Sequence, residues 1–455
     1  MGFALSVLFF VTYYLTPDVV FGPLAEYRVE LLVAVLILLV SLPRLPGSFV
    51  LKTPQSLSLI GLAVSVLASV IVGAHWVGGG VQAFLLFIPN AYGYFLVCLH
   101  CNSKRRLQIL VVMLFLVCLF VIVHGAFALR YGPSAADTAN GGSAISGYLL
   151  AMQNGAGQWF YRLRGLGEIN DPNDFGQVIV CVIPLMFLFW RRKKPVSNLI
   201  RVILPVSVLL IGVFLTRSRG ALVALTAVTV VSARRRIGTL PALLLAGALF
   251  AASMALHFTG GRDISANAGE DRTALWGESL QLLKSHPLFG VGFDQLPNYL
   301  GHTAHNSVAV CAAELGMFGL YFWSFFLFPT FRDAVTVSSP GGLRAAEPMV
   351  AAGEPLFPAR KKKENIDDSE ISHMGRLIFL SLIGFLVAGW FLSRAFVMTL
   401  FLLGGMAEVV YTLGLERNMV APRLRLGRVI PYAGGLSFAL VLAIYVMLRI
   451  ANLTH

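Results

Sequence analysis

Apolar runs of membrane-spanning length recur along nearly the whole chain, at about 3–20, 29–43, 57–75, 82–99, 107–128, 174–190, 198–215, 219–233, 238–256, 305–330, 376–393, 395–413 and 431–449. A helix of about 18 residues is ~27 Å long, close to the thickness of a bilayer's hydrocarbon core. Lipid offers no partners to backbone N–H and C=O groups, so such runs must fold as helices that satisfy themselves. Only 13% of the 455 residues are charged, against 57% apolar, whereas a soluble domain carries roughly a quarter charged residues. The chain therefore reads as an all-α polytopic membrane protein, a single integral membrane domain over residues 1–455. Several runs are short enough to be re-entrant or interfacial, so about 12 (12–13) transmembrane helices are expected. The first lacks a basic start and a small-residue cleavage site and reads as a retained span.

The net charge of +13 is informative through its placement. Lys104–Arg106, Arg191–Lys194, Arg234–Arg236, Arg360–Lys363 and Arg423–Arg428 fall in alternate loops. The positive-inside rule makes those loops cytoplasmic, and they read as topology anchors with no nucleic acid as partner. Cys98, Cys101, Cys118, Cys181 and Cys311 lie in or beside apolar runs. Cys98-Leu99-His100-Cys101 has no second pair to complete a zinc site, so free buried thiols are expected.

Two enlarged loops, 129–173 and 257–304, then face the periplasm, while a Pro, Gly, Lys and Glu-rich loop at 331–375 faces the cytoplasm as a tether. In the second periplasmic loop, Leu275, Trp276, Ser279, Leu282 and Leu283 recur at helical spacing. They predict an amphipathic helix on the membrane surface, with Asp271 as N-cap and Pro287 as stop. The apolar face around Leu275 and Trp276 is a candidate contact for acyl chains of a lipid acceptor.

Arginine is disfavoured outside the cytoplasm, so the arginines of the outer loops carry weight. Asn198 to Ala233 reads as a membrane hairpin whose only charges are Arg201 and, at its apex, Arg217 and Arg219. Insertion scales assign each guanidinium about 2.5–3.5 kcal/mol at full depth, a cost that an anion would offset. Arg164 sits in a Gly-flanked turn and Arg272 in the first turn of the surface helix. Guanidiniums beside helix N-termini favour phosphate. For each of them, and for Arg162, snorkelling to lipid headgroups or pairing with Asp171, Asp174, Glu270 or Asp271 stands as the structural reading. His305 opens the span after the second outer loop, where the helix dipole would keep its imidazole neutral and able to take a proton; capping the helix is its bland alternative.

Thr216-Arg217-Ser218-Arg219-Gly220-Ala221, the Asp271-Arg272…Trp276 helix running into His286-Pro287-Leu288-Phe289-Gly290-Val291-Gly292, and then Ala304-His305-Asn306-Ser307 and Glu314-Leu315-Gly316 resemble the O-antigen ligase and polysaccharide polymerase superfamily, in order, over roughly 163–328. The resemblance implies a GT-C-like membrane glycosyltransferase of the bacterial inner membrane with its active site facing the periplasm, without cofactor or metal. It further implies an undecaprenyl-diphosphate-linked glycan as donor and, for a ligase, lipid A-core oligosaccharide as acceptor. Arg219 and Arg272 then match diphosphate-binding arginines, Arg164 matches more loosely, Arg217 is additional, and His305 matches the catalytic histidine.

The chemistry agrees with that assignment. A departing lipid diphosphate gains charge on its bridging oxygen, which Mg²⁺ or several guanidiniums must stabilise. The outer loops hold only scattered carboxylates, such as Asp174, Glu278 and Asp294, and no Asp-x-Asp pair, which favours arginine. A ligase is the leading expectation, ahead of a repeat-unit polymerase, a protein O-oligosaccharyltransferase and a lipid-linked glycan transporter. A transporter should carry charges in mid-span, whereas this chain's charges are expected at the rim.

Overall fold

The computed structural model describes residues 1–17, 26–46, 48–131, 147–153, 157, 159–255, 266–339 and 367–453. Every one of the apolar runs forms a helix: α1 (Gly2–Leu15), α2 (Val29–Ser41), α3 (Pro54–Ala68), α4 (Val77–His100), α5 (Lys104–Tyr131), α6 (Pro172–Met186), α7 (Leu204–Thr216), α8 (Arg219–Ile237), α9 (Thr239–Ala255), and, after the loop helix α10 (Ala266–Ser285), α11 (Ser307–Ser338), α12 (Asp368–Gly389), α13 (Met398–Leu415) and α14 (Leu426–Leu453). Among the described residues nine helices are long and apolar enough to cross a bilayer: α3, α4, α5, α6, α7, α11, α12, α13 and α14, some with short helical extensions. The protein is thus a helical membrane protein. The other runs, α1, α2, α8 and α9, are shorter or end in arginines, and the expected dozen spans depends on them.

Residues pack into two compact units. The first comprises Met1–Val40, Lys104–Ile264 and Leu380–Ala388. Its inner element is α6. Asp171 caps it, accepting from the Asn173 N–H at 2.7 Å, and Pro172 occupies the first turn. Such an N-cap followed by Pro satisfies or removes the amides that a helix start leaves open. Gln177 donates to the Phe385 carbonyl at 2.9 Å and Ser381 to that of Cys181 at 2.7 Å, which ties α6 to residues 380–388.

An antiparallel hairpin departs from the expected all-α reading: β1 (Leu149–Gln153) pairs with β2 (Trp159–Leu163), Leu149 opposite Leu163. It occupies the end of the loop expected at 129–173, of which 132–146 lie outside the described residues. The cause is local. Trp159-Phe160-Tyr161-Arg162-Leu163 is aromatic-rich and places alternate residues on opposite faces. Leu163 packs on α5 at Gly125, where a Cβ would lie 2.0 Å from the leucine Cδ1.

The second unit comprises Ser41–Ser103, Ser265–Phe379 and Gly389–His455. Here α13 is the inner helix, with 94% of its apolar window buried, while only 22% of that of α14 is covered by protein; the second value suits a lipid-facing helix. Tyr94, Phe326, Phe401 and Phe87 form an edge-to-face aromatic core, and Gly404 lets Phe326 approach α13.

Three buried carboxylates lie within spanning helices, a correction to the expectation that charges keep to the rim. Glu408 pairs with both terminal nitrogens of Arg423, Asp333 accepts from Gln55 Nε2 at 2.7 Å, and Glu314 accepts the backbone N–H groups of Asp294 and Leu296. A buried carboxyl persists only where partners replace its hydration. These partners are built in, so each carboxylate acts as a staple between segments.

Helix α10 begins at Ala266, ahead of the expected cap at Asp271, and ends at Ser285. Trp276, Ser279 and Leu283 are buried, and α10 packs on α11 and α14. Its apolar face is therefore covered by protein, where a membrane-surface helix was expected. The tether expected at 331–375 is shorter, since α11 runs to Ser338 and α12 starts at Asp368; residues 340–366 lie outside the described ones. All five cysteines are free and buried.

Candidate functional site

The residues singled out by sequence divide between the two units. In the first, the hairpin apex is a turn between α7 and α8. Thr216 closes α7 by donating to the Val213 carbonyl at 2.7 Å and accepts the Ser218 N–H at 3.3 Å. Ser218 caps α8 by accepting from Ala221 N–H at 3.3 Å. Between them Arg217 takes a left-handed conformation, φ 49°. Outside glycine this costs on the order of 1 kcal/mol and recurs at binding sites. Its guanidinium lies over the Phe160 ring, 5.4 Å from the centroid. Arg219 is the first residue of α8, where helix amides and a guanidinium would both face an anion. Helix α6 comes close to this turn because residue 176 is glycine: a Cβ there would meet that of Ala221 at 2.8 Å and of Ser218 at 3.3 Å.

Arg164 is not in a free turn. It follows β2 directly, its N–H donating to the Tyr148 carbonyl at 2.9 Å and its Nε to the Gly147 carbonyl at 3.2 Å. The side chain is partly exposed. Arg162, two residues earlier and inside the strand, is 3% exposed. It donates to the Thr216 carbonyl and to Asn173, and so adopts the structural role that the sequence left open.

In the second unit, His305 precedes α11 without being part of it, which corrects its expected place as the opening residue of the span. Asn306 is the cap, accepting from Val308 and Ala309 N–H at 2.9 and 3.0 Å. His305 is exposed and takes φ 50°. The loop between α12 and α13 holds this backbone: Ser393 Oγ accepts the His305 N–H at 2.8 Å, Asn306 donates to the Trp390 carbonyl at 3.1 Å, and Ser307 donates to that of Leu392 at 2.7 Å.

Arg272 lies in the second turn of α10, not the first, and is partly buried. Trp276, one turn on along the same face, donates from its indole to the Ala304 carbonyl at 2.9 Å and meets Trp390 edge-on. Arg272 is thereby held on the face of α10 that meets the residue before His305. The same geometry corrects the assignment of Trp276 to the acceptor lipid. At 4% exposure it is a packing residue, while Leu275 beside it stays partly exposed.

Arg394 escaped the sequence reading. Its N–H donates to Ser307 Oγ at 3.1 Å, and its charge acts on Asp294, whose carboxyl burial nonetheless pushes above the usual range. The signal was available, since Arg394 interrupts two apolar runs just as Arg217 and Arg219 do. Asp294, at φ 58°, joins Arg217 and His305 as residues held in left-handed geometry. Its loop interlocks with α11. Val291 and Gly292 N–H donate to the Ala313 and Glu314 carbonyls, and Met317 and Phe318 N–H donate to those of Pro287 and Leu288. The His-Pro-Leu-Phe-Gly-Val-Gly and Glu-Leu-Gly motifs are the two halves of that interlock.

No group of three His, Cys, Asp or Glu side chains converges among the described residues. The chain thus presents arginines on two framed turns and one braced, exposed histidine. No curated protein sequence matches the chain. Residues 175–324, about a third of the chain and the segment that holds Arg217, Arg219, Arg272 and His305, match the family described as O-Antigen ligase.

Proposed function

We propose that the protein is a membrane glycosyltransferase of the O-antigen ligase type. It moves polysaccharide from undecaprenyl diphosphate to a sugar hydroxyl of lipid A-core at the periplasmic face of the inner membrane, completing lipopolysaccharide. The observation that carries the reading is His305: an exposed imidazole on a backbone braced by Ser393 and Asn306, one residue from the carbonyl that fixes the Arg272 helix.

Arg219 and Arg272, with Arg164 and Arg217 in support, bind the diphosphate. Guanidiniums at developing charge stabilise the departure of the leaving group. Neutral His305 accepts the proton of the acceptor hydroxyl as its oxygen attacks the donor sugar C1. The C1–oxygen bond to the diphosphate breaks on the opposite face, so the new linkage is inverted. The products are the glycosylated acceptor and undecaprenyl diphosphate. Cleavage of the donor linkage drives transfer without a nucleotide, and the arginines supply the charge that a divalent cation would otherwise provide.

The test is reconstitution of purified protein with lipid-linked glycan and lipid A-core, with and without EDTA. Glycan on the lipid A-core, undiminished by EDTA, is the expected product. Lengthened carrier-linked glycan would make the protein a polymerase with the same donor site. His305→Ala should lower the rate roughly 10²–10⁴-fold, the usual scale for a lost general base, with donor binding and insertion retained. A His305→Gln protein with substantial transfer and an unchanged pH profile would make residue 305 a hydrogen-bonding orienter of the acceptor.

A further inference from the structure

Arg162 is buried where it meets two segments at once. Its Nε donates to the Thr216 carbonyl at 2.9 Å, its Nη2 to Asn173 Oδ1 at 2.8 Å, and its Nη1 reaches Met152 Sδ at 3.7 Å. One planar fork thus spans the end of α7, the first turn of α6 and the neighbouring strand β1. Each acceptor takes a separate guanidinium nitrogen, whereas a lysine would have to reach all three from one nitrogen. Thr216 is the residue from which the chain enters the left-handed Arg217 and then the start of α8 at Arg219. The helix ends on both sides would allow other turn geometries if that carbonyl were not held.

We propose that Arg162 is a positioning residue: it sets the Thr216–Arg219 turn so that the Arg217 and Arg219 guanidiniums meet a lipid diphosphate together, and does not itself touch that substrate. This rests on the reading of Arg219 as a diphosphate ligand. The end of β2 at Leu163 supports the division of labour. Arg162 lies within the strand, nearly without exposure, and Arg164 just beyond it, partly open. Gly176 acts in the same direction, since it lets α6 carry Asn173 close to the turn. The hairpin that no apolar pattern announced has its use here, as the platform that presents Arg162.

The experiment uses the full-length protein in proteoliposomes with undecaprenyl-diphosphate-linked glycan, measuring kcat and KM for the donor together with the thermal unfolding midpoint. Arg162→Lys should lower donor kcat/KM at least ~30-fold, leave KM for the acceptor unchanged and shift the midpoint by no more than a few degrees. Asn173→Ala, which removes one anchor and keeps the arginine, should lower it several-fold. In the double variant with Arg219→Lys, either change should add little, because the positioned ligand is already lost. Losses that multiply, or that track the fall in midpoint, would overturn the proposal and leave Arg162 a folding residue; so would full activity of Arg162→Lys. If Arg162→Lys cannot be produced, the Asn173→Ala cycle decides by the same criterion. Full activity of Arg219→Lys would instead sink the diphosphate reading itself, whatever Arg162 does.

Discussion

At the scale of single residues, the arginine assignments turn on shape as much as on charge. A guanidinium offers a planar fork to two phosphate oxygens, an ammonium a single point. Arg219→Lys and Arg272→Lys should therefore each lose most transfer activity, about 2–4 kcal/mol of transition-state stabilisation per preorganised donor, measured as kcat/KM. Activity within a few-fold of wild type for both would make them anchors for lipid headgroups. Asp294 provides a separate check on its surroundings. Burial raises its carboxyl above the usual range, and the Arg394 charge opposes the shift. The folded state therefore holds this proton more tightly than the unfolded chain, and stability falls as pH rises from the unfolded value near ~3.9 to the raised one. Asp294→Asn should raise the unfolding midpoint in detergent at pH 7, and the gain should vanish near pH 3. An equal shift at both pH values would mean that the carboxylate carries no such penalty.

At the scale of elements, the interlock of the 286–294 loop with α11 explains two glycines. Gly316 breaks α11 at φ 66°, ψ −169°, a region open essentially to glycine alone. A Cβ there would lie 2.3 Å from the Leu288 carbonyl oxygen. Gly290, at φ 67°, faces the Glu314 carbonyl just as closely. Gly316→Ala should destabilise the protein by on the order of 3 kcal/mol, read as a lower unfolding midpoint and reduced yield of folded protein. A normal midpoint would show that the loop can separate from α11 at little cost. The loop carries Asp294, so a milder replacement that still folds should depress transfer as well.

For the whole molecule, the placement of the arginines matters only if their loops share one side of the membrane. Basic clusters alternate with these loops along the chain, which the positive-inside rule reads as a periplasmic site. Because the native cysteines are all buried, single cysteines report cleanly. Glu278→Cys and His302→Cys, both at exposed positions, should react with an impermeant maleimide in cells with permeabilised outer membranes, while Arg192→Cys and Ser369→Cys should be protected. The reverse pattern would remove His305 from the periplasm and the ligase reading with it.

The sequence by itself determined that the chain is helical and membrane-borne, because lipid forbids unpaired backbone and every apolar run of sufficient length is forced into the same answer. It also singled out Arg219, Arg272 and His305 as candidates, since arginine is disfavoured in loops facing away from the cytoplasm and an imidazole is suited to take a proton near pH 7. It could not place α10. Amphipathic spacing says that one face is covered but not by what, and only packing against α11 and α14 decided for protein over lipid. The hairpin at Leu149–Leu163 was hidden because two five-residue strands leave little periodicity, and they pack on α5, the first turn of α6 and the apex turn. The separation of Arg162 from Arg164, and the recruitment of Arg394 beside Ser307, likewise depend on which side chains meet across long stretches of chain. Tertiary structure alone decides that, because a guanidinium's role is set by the acceptors that surround it.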